Sequence, residues 1–248
     1  MTGDNSERQA TVIFGGASGI GLAAARLLSG HGAYVLIADS NDQATELDLV
    51  RSGACSFFRC DATDPQQVAA ALELGQQQGH RLSGVVTTVG GAHIHDPLEV
   101  DLAAWRREVA FNLDSAYLVA TSAAKLMAGQ GGGSIVTTSS SFAYVPKADR
   151  IGYAASKAGV IALTKSLAMA CARQGVRVNC VAPGATDTPR VRAMTGSDAE
   201  WQKICEQSVQ GRIQSPEDVA GAIVFLLSPG AQSVTGQVIW VNNGSYMP

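Results

Sequence analysis

The chain has 248 residues, of which 46% are hydrophobic and 16% charged, and its formal net charge is −3. That length and hydrophobicity support a sizeable core and exclude a disordered chain, which needs low hydrophobicity and high charge. The acidic balance, with no Lys/Arg run, excludes an electrostatic grip on nucleic acid, and no apolar stretch approaches the ~20 residues a membrane-spanning helix needs.

Short apolar runs alternate with longer helical patterns. Thr11-Val12-Ile13-Phe14 predicts a buried strand, Gly15 to Gly21 a glycine-rich turn, and Ile20 to Leu28 a helix. Tyr34 to Ala38 predicts a second strand ending at Asp39, and Ser56-Phe57-Phe58 a third that stops near Asp61. Thr63-Asp64-Pro65 is a helix start with proline at the first helical position. Val85 to Val89 is the fourth strand, followed by Gly90-Gly91 and a helical stretch from about Leu102 to Met127. Ser134 to Thr138 is the fifth strand, about Tyr153 to Arg173 a helix, and Val176 to Val181 the sixth strand. Ser215-Pro216-Glu217-Asp218 caps a helix running to Leu227, and Val238 to Val241 is the last strand. The alternation implies βαβ units: an α/β, doubly wound, mainly parallel seven-stranded sheet with helices on both faces. No linker or repeat interrupts it, so residues 1–248 are expected to form one domain. The insertion at about 189–211 is expected to act as a substrate lid.

The five cysteines (Cys55, Cys60, Cys171, Cys180, Cys205) contain no C-x-x-C pair, so neither a disulfide framework nor a metal site is expected. Reduced, packed thiols fit a cytoplasmic protein. The polar stretch Met1 to Gln9 lacks the apolar core of a signal peptide.

Gly15-Gly16-Ala17-Ser18-Gly19-Ile20-Gly21 lies between a predicted strand and helix. Glycines there permit a tight turn and close approach of a pyrophosphate to a helix N-terminus, so Gly15, Ser18, Gly19, Ile20 and Gly21 are candidate cofactor contacts. Asp39, at the end of the second strand, can accept bonds from an adenosine ribose and would repel a 2′-phosphate. No Arg or Lys occurs among Ser40, Asn41 and Asp42, which favours NAD over NADP. Asp61 is a candidate for the adenine edge, with turn formation the competing role.

Tyr153 and Lys157 stand four apart on one helix face, with Cβ atoms roughly 5–6 Å apart. An ammonium beside a phenol favours phenolate and lowers a pKa of ~10. Such a tyrosine can exchange a proton with an alcohol or ketone oxygen. Thr137 to Ser141 follow the fifth strand and put hydroxyls at the carboxyl edge of the sheet, where such folds bind ligands.

From about Thr11 to Gly244 the sequence resembles a short-chain dehydrogenase/reductase of the single-domain, NAD-using kind, on a Rossmann-like fold. The glycine loop matches that family's cofactor motif, and Tyr153 and Lys157 match its Y-x-x-x-K. Ser140, thirteen residues before Tyr153, matches its catalytic serine, and Asn112 its helix asparagine. Pro183, Gly184, Thr186 and Thr188 resemble the segment covering the nicotinamide and its carboxamide. The resemblance implies that Tyr153 is the general acid/base, that Lys157 tunes it and bonds the nicotinamide ribose, that Ser140 polarises the substrate oxygen, and that Asn112 holds a water linking Lys157 to solvent. It also implies a homo-oligomer, a dimer or tetramer, built through the long helices. The family's N-N-A-G is Thr87-Thr88-Val89-Gly90 here, Gly90 being counted with the cofactor site, and Phe14 stands where the family has Thr. The first Thr is expected to replace an amide that braces the sheet.

For the substrate, His93, Phe142, Tyr144, Met194 and Trp201 are candidate pocket residues, pointing to a largely apolar, uncharged alcohol or ketone; Arg150, Arg190 and Arg192 keep a carboxylate-bearing one open. The resulting expectation is NAD-dependent hydride transfer at a secondary alcohol or its ketone. The competing readings are a 3-oxoacyl thioester reductase using NADPH, a non-catalytic dinucleotide sensor on the same fold, and a dehalogenase, against which the glycine loop argues.

Overall fold

The computed structural model of the chain describes residues 8–77 and 80–247. Seven strands form one all-parallel sheet in the order β3-β2-β1-β4-β5-β6-β7: β1 Arg8–Phe14, β2 Tyr34–Asp39, β3 Ser56–Arg59, β4 His80–Thr87, β5 Gly133–Thr138, β6 Val176–Pro183 and β7 Val238–Val241. Every strand predicted from an apolar run is present, because a parallel strand covered on both faces is apolar on both. Successive side chains of β1 go to opposite layers. Val12 and Phe14 join one core cluster with Leu36, Leu82 and Ile135, and Ile13 joins the other with Ile37, Val86 and Val136.

Helices fill both layers. On the Ile13 side lie α1 (Gly19–Gly30) and α9 (Pro216–Leu227), which pack together. On the Val12 side lie α3 (Pro65–Gly75), α5 (Ser115–Gly129) and α6 (Ile151–Cys171). Their starts follow from the capping chemistry. The Asp64 carboxylate accepts from the Gln66 and Gln67 amides with Pro65 next in line, and Ser215 and Asp218 form a reciprocal capping box before Pro216. The insertion between β6 and α9 contains two short helices, α7 (Pro189–Met194) and α8 (Asp198–Glu206). Its far end is tied back where the buried Gln214 Nε2 donates to Thr186 Oγ1 (2.8 Å). A short α2 (Asp48–Arg51) follows β2. No helix among the described residues is long and apolar enough to cross a membrane.

The predicted long helix over 102–127 is interrupted. The helix α4 (Leu102–Val109) passes into α5 through a π-turn at Ala110–Asp114 that contains Asn112. The physical cause is local. Asn112 Nδ2 donates to the Glu108 carbonyl (3.0 Å), a group that a regular helix bonds with its own backbone.

The strand order reverses between β1 and β4, and the loops leaving their carboxyl ends diverge there, opening the crevice that open α/β sheets use for ligands. The side chain of Leu82, near the amino end of β4, is fully buried in the core layer on the Val12 side. Leu82→Ala is expected to cost about 2–5 kcal/mol of unfolding free energy, from lost transfer energy plus the cavity left behind. Urea denaturation checks this: the midpoint should fall while the slope stays the same, and a loss well below the range would mean the layer collapses around the gap.

Candidate active site

The crevice is a cavity of about 910 Å³. Its floor at the β1 end is the glycine turn. Gly15 has φ +79°, and a Cβ on Gly21 would collide with Gly15's carbonyl oxygen, so the first turn of α1 can nest on the loop only with glycine there. Ser18 precedes α1 without a side-chain cap bond, and Gly15, Ser18, Gly19 and Ile20 line the cavity. The first-turn amides of a twelve-residue helix thus face the cavity, a cradle that fits a dinucleotide pyrophosphate.

The loop is held by Thr88. Its Oγ1 donates to the Gly15 carbonyl (2.9 Å), with Phe14 O at 3.2 Å, and its backbone N–H bonds the Phe14 carbonyl. The brace expected of Thr87 is therefore made by its neighbour: Thr87 Oγ1 is buried with no hydrogen-bond partner among the described residues. Strand alternation accounts for this, since the two consecutive side chains leave opposite faces. The Asp39 carboxylate accepts from the Ala17 amide (3.0 Å) and from the Asn41 amide (3.0 Å), so it joins the glycine loop to the end of β2. Arg59 is its register partner on β3, and the guanidinium is turned onto Asp42 (3.1 Å). The Asp61 carboxylate accepts from Thr63 N (2.9 Å) and Thr63 Oγ1 (2.7 Å), which shapes a turn. Neither Asp39 nor Asp61 lines the cavity.

At the centre stand the hydroxyls of β5 and the first turns of α6. Ser140, Tyr153 and Lys157 all line the cavity. Lys157 is buried, its Nζ donates to the Thr138 carbonyl (2.9 Å), and the backbone carbonyl of Lys157 accepts from Ser139 Oγ (2.7 Å). Burial pulls the Lys157 ammonium down to about 8, the nearby Cys180 opposing it weakly. Burial pushes the Tyr153 phenol above its ordinary value. The Ser140 hydrogen bond and the Arg190 and Arg150 guanidiniums pull it down, and Glu108 pushes it up. Tyr153 is only half-buried by area because one side opens to the cavity, yet the phenol is packed deeply enough for desolvation to lead. The lowered phenol expected from Lys157 is thus not produced by the chain's own charges. The ammonium lies 5.7 Å from the tyrosine ring centroid and is bonded to Thr138.

Gly90 is the close point between the two halves. A Cβ there would stand 2.5 Å from Asn112 Oδ1 and 2.7 Å from Lys157 Nζ, and the backbone has φ +140°. Asn112 is fully buried, and its amide is spent on Gly91: Oδ1 accepts from Gly91 N (2.8 Å) and Nδ2 donates to Gly91 O (3.1 Å). Pro183, Gly184, Thr186 and Thr188 line the wall beyond, with Phe142 and Met194 over the outer part.

Three sequence candidates lie elsewhere. His93 is half-exposed, outside the cavity, with its amide on the buried Glu108 carboxylate (3.0 Å), and Ile94 takes the wall position instead. Tyr144 packs edge-on against Trp240 (5.1 Å between centroids) and beside Tyr246. Trp201, on α8, lies under the Arg192 guanidinium (4.7 Å) and does not line the cavity. In each case a neighbouring aromatic or charged group competes for the ring, which residue type alone does not reveal. Glu108 and Arg59 were missed by sequence reasoning for the opposite reason: each becomes notable only through a partner distant in sequence. The Cys180 thiol, buried behind Lys157, is pushed up to about 11 by burial and is no nucleophile.

A family model described as enoyl-(acyl carrier protein) reductase matches residues 15–246. The chain is 38% identical over 246 residues to cis-4-hydroxycyclohexanecarboxylate dehydrogenase of Sinomonas cyclohexanicum, covering 98% of each chain. It is 33% identical over 240 residues to the mitochondrial borneol dehydrogenase of Lavandula x intermedia, covering 96% of this chain and 90% of that one. The solved structure of a short-chain type dehydrogenase/reductase from Mycobacterium ulcerans superposes with a TM-score of 0.90 at 33% identity, covering 96% and 90%. The chain belongs to the short-chain dehydrogenase/reductase family. Short-chain dehydrogenases use nicotinamide dinucleotides, and this one is an oxidoreductase acting on CH–OH groups. The family's cofactor has a fitting cradle here in the glycine turn, the uncapped α1 N-terminus and the Gly90 approach.

Proposed function

We propose that this short-chain dehydrogenase uses NAD to interconvert a ring-bearing secondary alcohol and its ketone, with Tyr153 carrying the proton. One observation carries the reading: Ser140, Tyr153 and Lys157 converge on the same cavity as the glycine turn and the α1 N-terminus. Bound there, the dinucleotide would supply the hydride acceptor or donor and, when oxidised, a positive charge beside the phenol. Ser140, already within hydrogen-bonding reach of Tyr153, orients the substrate oxygen. Tyr153 takes the hydroxyl proton in oxidation and returns it in reduction. Lys157, with its remaining N–H groups facing the Gly90 approach, holds the nicotinamide ribose. Gly15, Ser18, Gly19, Ile20 and Gly21 hold the pyrophosphate, Pro183, Gly184, Thr186 and Thr188 cover the nicotinamide, and Asn112 shapes the Gly90–Gly91 wall. The ring-bearing class is supported by the apolar side chains of Phe142, Val145 and Met194 on the cavity wall and by relatives named for cyclohexane and borneol alcohols. We place the protein in a reducing cytoplasm, in keeping with its free and mostly buried thiols. We read it as a homo-oligomer, in keeping with the exposed Tyr117 on α5 and Met169 on α6.

The preference for NAD rests on Asp39. Its carboxylate stands at the end of β2 beside the glycine loop, a charge that would repel a 2′-phosphate, and Arg59 is already paired with Asp42. The NADPH-dependent alternative is favoured only by that Arg59, one strand away. Initial rates with NAD and NADP over a panel of secondary alcohols test the proposal. NAD should be preferred, and Asp39→Ser should narrow the preference by about tenfold to a hundredfold, the size of one charged interaction. A wide preference for NADP in the unaltered protein overturns the cofactor assignment. Binding of NAD without turnover of any alcohol overturns the activity.

A further inference from the structure

The outer end of the cavity holds more charge than a neutral alcohol needs. Phe142 stands edge-on to Tyr153, with ring centroids 6.3 Å apart at 75°. Two cations stand on the Phe142 ring: the Arg150 guanidinium carbon 5.5 Å from its centroid and Lys147 Nζ at 5.7 Å. All four residues line the cavity. The Arg150 side chain is only 14% exposed, whereas that of Arg192 is 62% exposed and that of Arg212 51%.

We propose that the substrate alcohol carries an anionic group, a carboxylate or sulfonate, on the far side of its ring from the hydroxyl, and that Arg150 is the residue that reads it. The inference rests on the dehydrogenase reading of the site. Arg150 Nη1 donates to Asp149 Oδ1 (2.7 Å), and among the described residues its Nη2 and Nε have no acceptor. That leaves one edge of a planar fork directed at a cavity, the geometry that takes a carboxylate bidentately. Asp149 offsets one charge, and Lys147 restores a net positive end.

Two of the other arginines are committed to carboxylates. Arg192 is bound to Asp187 and Arg212 to Asp218. Arg190 leans the opposite way: its Nη2 donates to the Ala92 carbonyl (3.3 Å), and its guanidinium packs against Gly91 and over the Phe111 ring. That position is beside Gly91, next to the Gly90 approach. Arg150 packs on the Phe142 ring, whose edge meets Tyr153, so one cavity offers a cation and a proton-transfer group at different points, which a ring carrying an anion and a hydroxyl apart from each other can span. A cation in a partly apolar cavity attracts such a group more strongly than it would in open water.

The test compares a hydroxycyclohexane bearing a carboxylate with the same alcohol as its methyl ester, reading kcat/KM for each with NAD. The unaltered protein should favour the acid by about tenfold to a hundredfold, and Arg150→Gln should collapse the ratio toward one, chiefly through KM. Arg150→Lys should fall between, and Lys147→Gln should change the ratio less. Taking the ratio removes any effect of Arg150 on the phenol itself. Raising ionic strength should weaken the acid's kcat/KM and leave the ester's little changed, a readout that needs no variant. A ratio near one in the unaltered protein overturns the proposal while the dehydrogenase reading stands. Collapse in Arg190→Gln but not in Arg150→Gln overturns the residue assignment. Failure of every alcohol on the panel overturns the dehydrogenase reading instead.

Discussion

Tyr153→Phe should abolish turnover to within about one part in 10² to 10⁴ of the original rate, while NAD affinity stays within a few-fold. The substitution removes one oxygen and keeps the ring that Phe142 packs against, so the wall of the cavity is preserved. The oxygen is the group whose pKa Ser140 helps hold down and the one proposed to exchange the substrate's proton. Pre-steady-state hydride transfer at saturating NAD, with binding followed by fluorescence quenching, separates the two effects. A variant retaining full turnover would remove the phenol from the mechanism. The pH dependence follows from the same group. Oxidation needs the phenolate, and burial holds the phenol above its ordinary value, so alcohol oxidation should keep climbing with pH into the alkaline range. Ketone reduction, which needs the phenol protonated, should decline over the same range. Each trend should disappear in Tyr153→Phe.

Why these residues meet is partly legible in the sequence. The strands are runs such as Val12-Ile13-Phe14 and Val176 to Val181, apolar on both faces because the sheet is covered on both. The glycine turn is legible because its neighbours are a strand and a helix, and Tyr153 and Lys157 because helical spacing puts them on one face. What escaped sequence reasoning depends on contacts between distant segments. The π-turn at Ala110–Asp114 follows from an asparagine amide competing for a carbonyl, a choice made only when Gly91 offers the other half of the bond. The transfer of the loop brace from Thr87 to Thr88 depends on which face each side chain leaves. His93, Tyr144 and Trp201 carry pocket-like chemistry and lie beyond the cavity, because Glu108, Trp240 and Arg192 hold them there. Residue type named them; packing reassigned them.

Lys157→Met is the sharpest test of how the site is held, because stability and activity should move in opposite directions. The ammonium is buried, with one backbone carbonyl as its recorded acceptor. Its pKa falls from 10.5 to about 8, the direction expected when burial penalises charge. Below pH 8 both the folded and the unfolded chain hold the proton, and the folded chain bears the full cost of the buried charge. Between about 8 and 10.5 the unfolded chain holds more protons, so the unaltered protein gains stability as pH rises, on the order of 3 kcal/mol across the window. Methionine fills similar volume without the charge and forfeits the bond to Thr138, worth about 1 kcal/mol. Net, the variant should be about 1–2 kcal/mol more stable at pH 7, a rise of roughly 3–6 °C in Tm, and the advantage should vanish near pH 9 and reverse by about 1 kcal/mol at pH 10.5, where the lost Thr138 bond is what remains. Turnover should fall about 10²-fold or more, since the ribose contact and the positive charge near the phenol are lost together. Denaturation of both proteins at pH 7 and 10.5 cancels every other titrating group in the difference. A variant less stable at pH 7 would mean that the ammonium is satisfied where it sits, and the penalty assigned to its burial would be wrong. A site that destabilises its own fold in order to keep one cation beside a phenol is what selection for catalysis, and not for packing, produces.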